Sequence, residues 1–155
     1  MTFVARLIAT AGGAGYSPLA PGTAGTAVAV PLVWLASPLL WWQWLALTAA
    51  VTLVGIWAAG IADDSWGTHD SGRIVIDEVA GYFITMAAVD RADWRLLLIG
   101  FFVFRVFDIV KPPPVGWIDR NIGGGAGVVL DDVVAGMQSA AVMLGADWLL
   151  RNPPF

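Results

Sequence analysis

Two acidic pairs sit inside apolar stretches of similar sequence. One is Ile74-Val75-Ile76-Asp77-Glu78-Val79-Ala80-Gly81, the other Val128-Val129-Leu130-Asp131-Asp132-Val133-Val134-Ala135-Gly136. Carboxylates in such surroundings are costly: one charge at the centre of a bilayer helix costs about 2.5–3.5 kcal/mol on insertion scales. Chains keep them when they face a cavity, pair with cations or hold a hard metal ion. Four carboxylates suit Mg²⁺, which takes oxygen ligands and often shares them with a substrate phosphate. Successive helical residues point about 100° apart. One member of each pair can therefore face a common centre while the other supports it. The plainer reading is structural pairing with Arg105 or Arg120.

Three further segments carry chemistry. In Phe104-Arg105-Val106-Phe107-Asp108-Ile109-Val110-Lys111-Pro112, helical spacing puts Arg105, Asp108 and Lys111 on one face. They form either an intrahelical ion pair that eases insertion, or a site in which Asp108 joins the carboxylates while Arg105 and Lys111 hold a phosphate. Asp119-Arg120-Asn121 and the glycines through Gly127 lead into the second acidic helix. They are a connector or a backbone cradle for an anion, and match neither a Walker A loop nor a dinucleotide fingerprint. Asp63 to Gly72 reads as an exposed acidic loop, or as a source of a general acid or base from His69-Asp70, with Asp63 or Asp64 near the metal. Thr23 or Thr26 is expected to cap the first apolar helix, or the small-residue stretch from Ser17 to Thr26 lines the site.

These groups need elements to position them. Trp41–Ala62 holds 22 residues with no charge and one Gln, enough to cross a hydrocarbon core. Four more apolar segments cover 24–36, 74–89, 94–110 and 129–150, some marginal in length, and residues 3–10 read as a short surface helix. If the five segments alternate in direction, the links rich in Gly, Pro and charge (12–26, 63–73 and 111–128) share one end with both acidic pairs. The expectation is an all-α, small integral-membrane bundle of about five apolar helices, one domain over residues 1–155, with its polar site at one membrane face. Lys and Arg number four at that end, or five with Arg6, against three at the other. That bias weakly favours the cytoplasm.

Composition agrees. The chain is 58% hydrophobic and 13% charged, with mean hydropathy +0.74; soluble domains average about 25% charged. The net charge of −4 leaves no basic stripe for nucleic acid. The lack of Cys removes thiol nucleophiles, Cys-ligated zinc and disulfides. Oligomeric state is not legible.

Taken together, the chain resembles the phosphatidylglycerophosphatase A family. The resemblance rests on Ser17-Pro18 with Pro21-Gly22-Thr23 and Gly25, His69-Asp70 with Gly72, and Ile74 to Gly81. It continues through Phe104-Arg105 with Phe107-Asp108 and Lys111-Pro112, Asp119-Arg120-Asn121 with Gly123-Gly124 and Gly127, and Asp131-Asp132 with Val134-Ala135-Gly136. These pieces run in order over roughly residues 12–142. The resemblance implies a Mg²⁺-dependent phosphomonoesterase of the bacterial inner membrane that converts phosphatidylglycerophosphate to phosphatidylglycerol and phosphate. The expected metal ligands are Asp77, Glu78, Asp108, Asp131 and Asp132. Arg105, Lys111, Arg120 and Asn121 are the expected phosphate contacts, and His69 or Asp70 the proton donor. A single His and no Asp-x-Asp disfavour phosphohistidine and aspartyl-phosphate routes. The rival from another class is a small cation- or proton-coupled transporter, since intramembrane carboxylates also mark ion paths. A non-catalytic membrane partner is a third reading.

Overall fold

The computed structural model describes residues 1–152 and contains no strand among them. Its elements are α1 (Thr2–Ala9), a 3₁₀ segment (Ala11–Tyr16), α2 (Pro21–Leu35), α3 (Trp41–Trp66), α4 (Ile76–Thr85), α5 (Trp94–Val110), α6 (Val115–Asn121) and α7 (Gly124–Arg151). Helix ends follow local chemistry. α2 starts with Pro21 in its first turn, where the missing N–H costs nothing. Neither Thr23 nor Thr26 caps it: the N-cap is Ala20, with no side-chain bond, and the Thr26 hydroxyl donates back to the Gly22 carbonyl at 3.0 Å. α3 runs four residues beyond the expected Ala62, because Gly67 is the first residue to supply the left-handed cap, at φ +65°. α5 starts at Asp93, whose carboxylate accepts from Arg95 N at 2.9 Å, and stops before Pro112.

Among the described residues, two helices are long and apolar enough to cross a membrane unaided: α3 with 26 residues and α7 with 28. α2 and α5 are shorter. α4 ends at Thr85, not Val89, and its ten residues rise only about 15 Å. Most of it is buried among other helices, so it is a core helix that the apolar pattern alone mistakes for a span. The expected connector 111–128 also contains structure. α6 forms after the Pro112-Pro113-Pro114 turn, and α7 begins at Gly124 rather than residue 129.

α7 is the central element and packs against α4, α3, α5 and α6, while α2 covers α4 and α5 and α1 lies on α3. The core is aromatic and tightly bonded. Tyr82 Oη donates to Leu97 O at 2.7 Å, and Trp44 stacks on Phe83 with centroids 5.0 Å apart. Long-range bonds at each end fix the alternating direction. Arg6 Nε and Nη2 donate to Ser65 at 2.7 Å and Val75 N to Ala9 O at 2.8 Å, joining α1, the end of α3 and the start of α4. At the other end Arg91 Nη2 donates to Leu39 O at 3.0 Å and its guanidinium lies 4.4 Å above Trp44. Arg6 therefore belongs to the polar end, which holds nine of the twelve acidic residues and five of the eight basic ones. The three acidic and three basic residues at the other end cancel, so the whole net charge of −4 sits where the acidic pairs are.

Candidate active site

The acidic pairs meet because glycines let their helices touch. Asp77 and Gly81 are four residues apart on α4, as are Asp132 and Gly136 on α7, so each acid and glycine share a helix face. A Cβ at Gly136 would collide with the Gly81 carbonyl oxygen. A Cβ at Gly81 would lie 2.5 Å from the Phe104 ring and 2.7 Å from Asp132 O. Backbone against backbone, one turn along, draws the side chains together: Asp77, Glu78 and Asp132 each offer an oxygen within 4.8 Å of the others.

The remaining expected ligands are held by cations. Asp131 Oδ2 accepts from Lys111 Nζ at 2.8 Å, and the same ammonium reaches Asp119 Oδ1 at 2.5 Å. Asp108 Oδ2 lies 2.5 Å from Arg105 Nη1, and Glu78 Oε1 lies 3.6 Å from the same nitrogen. Arg105 Nη1 nevertheless has no directed hydrogen bond; these are ion pairs made off the N–H axis. Gly22, in the first turn of α2, closes over this pair: a side chain there would strike Glu78 Oε1 and come within 3.0 Å of Arg105 Nη1.

Five of the nine buried side-chain polar atoms that make no directed hydrogen bond among the described residues lie here. They are the acceptors Glu78 Oε2, Asp131 Oδ1 and Asp132 Oδ2, and the donors Arg105 Nε and Nη1. Unpaired buried groups are costly, and this set is two-signed. The acceptors suit a hard cation with oxygen ligands, and the donors beside them suit an oxyanion. The residues therefore fit Mg²⁺ and a phosphate. The basin holding them has a volume of about 320 Å³ and is also lined by Asp70, Ser71, Gly72 and Ile74.

An adjoining cavity of about 360 Å³ shares Asp70 and Val128 with the basin. His69, Arg120 and Asn121 line it, so the structure separates them from Arg105 and Lys111. Asn121 Nδ2 is turned to Trp117 O at 2.7 Å, and the glycine-rich entry to α7 lines one wall. Partial loss of hydration raises the Asp70 carboxyl above its ordinary value although the residue stays exposed, with Lys111 opposing the rise and Asp119 and Asp63 adding to it. Burial works against the charge on Lys111, but its bonds to Asp119 and Asp131 outweigh that and keep it cationic. Asp63, read from the sequence as part of an exposed acidic loop or as joining the metal site, is buried and is not among the clustered Asp77, Glu78 and Asp132. Its one signal was position: the first of two adjacent acids just before a Gly cap, with Thr68 and Ser71 close ahead.

The family model described as Phosphatidylglycerophosphatase A matches residues 7–147. Phosphatidylglycerophosphatase A of Escherichia coli K12 is 39% identical over 94% of this chain and 86% of its own length. The Haemophilus influenzae protein of the same name is 36% identical over 94% of this chain and 90% of its own. A Bacteroides thetaiotaomicron protein named "Putative phosphatidylinositol-3-phosphatase" is 40% identical, covering 96% of this chain and 97% of its own. No solved structure matches.

Proposed function

Since the chain belongs to the phosphatidylglycerophosphatase A family, we propose that its carboxylate basin hydrolyses phosphatidylglycerophosphate to phosphatidylglycerol and inorganic phosphate. The observation that carries this reading is the two-signed set of buried groups without directed hydrogen bonds, carboxylate oxygens from α4 and α7 beside the donors of Arg105. Asp77, Glu78 and Asp132 are the residues to hold Mg²⁺. Bound there, the ion supplies charge neutralisation for the phosphomonoester and a more acidic attacking water. Asp108 steadies Arg105, and Asp131 with Asp119 steadies Lys111. Both cations then offer fixed donors to phosphate oxygens as charge redistributes. Asp70, between the two cavities, and His69 beside it are placed to protonate the departing glycerol oxygen. Arg120 and Asn121 contact the headgroup from the adjoining cavity.

The substrate is a lipid, and the outer surface supports a bilayer setting. α3 carries exposed Trp41, Trp42, Leu45, Leu53, Val54 and Trp57, an apolar face a water-soluble monomer rarely shows. Exposed Trp34, Trp41, Trp42, Trp94 and Trp148 gather at the end away from the site, as in an interfacial aromatic belt. In this reading one domain lies in the bacterial inner membrane as a multi-pass bundle of about five apolar helices. α3 and α7 cross fully, the shorter helices pack around them, and the basin opens at the cytoplasmic face, where Lys and Arg are in excess. Transport is disfavoured by the family, and by the placing of the carboxylates at one end of the bundle.

The test is phosphate release with Mg²⁺ in detergent micelles from phosphatidylglycerophosphate, phosphatidylinositol 3-phosphate and phosphatidic acid. The expected result is a kcat/KM for phosphatidylglycerophosphate at least about tenfold above the others, the scale that placed polar contacts supply. Preference for the inositol lipid would reassign the headgroup, and no release from any of them would remove the phosphatase reading.

A further inference from the structure

The loop between α3 and α4 is built around Asp63, which is 5% exposed. Its carboxylate accepts three hydrogen bonds from residues ahead in the chain. Oδ1 takes Thr68 Oγ1 at 2.9 Å and Ser71 N at 3.0 Å, and Oδ2 takes Asp70 N at 2.6 Å. Hydrogen bonds to an ionised group are about twice as strong as neutral ones, and these three tie the turn to one buried side chain. With both oxygens engaged in this way, Asp63 is turned to the loop and not to the Asp77, Glu78 and Asp132 cluster. The constraint falls on Asp70, held at φ +56°, a left-handed conformation that persists in a non-glycine residue only where its surroundings enforce it. Asp70 lines both the basin and the adjoining cavity. Beyond it, Ile74 N donates to Ser71 O at 2.8 Å, leading the chain into the first turn of α4.

We propose that Asp63 is a positioning residue that acts through Asp70, fixing the side chain that divides the basin from the adjoining cavity. The inference rests on the phosphatase reading and extends it to a residue outside the basin. Asp63→Ala releases two backbone N–H groups and the Thr68 hydroxyl, and Asp70 then leaves its enforced conformation. Asp63→Asn keeps one acceptor but turns an amide N–H₂ toward a donor, so it is intermediate.

The experiment is a double-mutant cycle on the full chain in detergent, with Asp63→Ala, Asp70→Asn and the double variant. The readouts are kcat and KM for phosphatidylglycerophosphate and the rise in melting temperature on adding Mg²⁺. Asp63→Ala is expected to lower kcat about 10- to 100-fold with KM little changed, as for loss of groups that orient others. In the Asp70→Asn background the same change is expected to cost less than about twofold, because the two act as a unit. The Mg²⁺-dependent rise persists in both. Full multiplication of the two losses would overturn the proposal, and loss of the Mg²⁺ effect would make Asp63 a ligand instead. If Asp63→Ala does not fold, Asp63→Asn carries the same cycle. Amide exchange gives a readout apart from turnover: Asp70 and Ser71 N–H are protected in the parent chain and exchange faster in either Asp63 variant. Unprotected amides in the parent chain would sink the positioning role, whereas a parent chain with protected amides and no phosphate release would sink the phosphatase reading.

Discussion

Asp132→Asn is expected to lower phosphate release from phosphatidylglycerophosphate by at least about 10³-fold, the factor that follows from losing several kcal/mol of charge stabilisation. Asp77→Asn is expected to do the same, and both proteins remain folded. The reason lies in the cluster itself. Asp77, Glu78 and Asp132 bring their oxygens within 4.8 Å of one another, so the metal-free cluster is self-repelling and an amide in place of one carboxylate relieves it. Without metal, the melting temperature of either variant should equal or exceed that of the parent. The stabilisation that a bound ion confers on the folded state should disappear with the activity. Asp131→Asn separates the roles. It loosens Lys111, held at 2.8 Å, so turnover falls while the Mg²⁺-dependent rise in melting temperature remains. Near-normal turnover in Asp132→Asn would exclude that residue as a ligand.

Gly136→Val is expected to cost both stability and activity. Its side chain would enter the space of the Gly81 carbonyl and of Ile84 Cβ, only 3.1 Å from the added Cβ. Backbone cannot yield as a flexible side chain can, and overpacking of this kind costs about 1–3 kcal/mol, occasionally more. Separation of α4 from α7 also pulls Asp77 and Glu78 away from Asp132, so the Mg²⁺-dependent stabilisation should weaken together with turnover. Gly145→Ala on the same helix is the control. Nothing lies within 4 Å of the added Cβ, and an exposed helical Gly→Ala change gains about 0.5–1 kcal/mol. Thermal unfolding in detergent with and without Mg²⁺ reads both. Equal melting temperatures and activities for the two variants would mean that α4 and α7 do not meet at Gly81 and Gly136.

Much of this arrangement is legible in the residues. Carboxylates in apolar helices are costly enough to need a partner, and the alternation of plain and Gly-rich links is enough to put Asp77, Glu78, Arg105, Lys111 and Asp132 at one end. Other parts are not legible, for physical reasons. Apolar content does not tell a buried helix from a spanning one, so α4 reads longer than its ten residues. Which member of Asp131-Asp132 faces the centre depends on the helix rotation, and that is set by the Gly81–Gly136 crossing. That Asp119 and Asp131 hold Lys111 is not visible in its spacing, because the fold brings them to it from two other elements. Asp63 looks solvated because its three donors lie in a turn whose shape it creates itself.

The central claim is that the α4–α7 carboxylates act through a bound divalent cation. The most direct measurement is phosphate release from phosphatidylglycerophosphate in micelles after exhaustive chelation, followed by titration with Mg²⁺. The account predicts no release above background in the chelated protein and full recovery on adding Mg²⁺, with the recovery absent in Asp132→Asn. Undiminished release by the chelated, folded protein would contradict it.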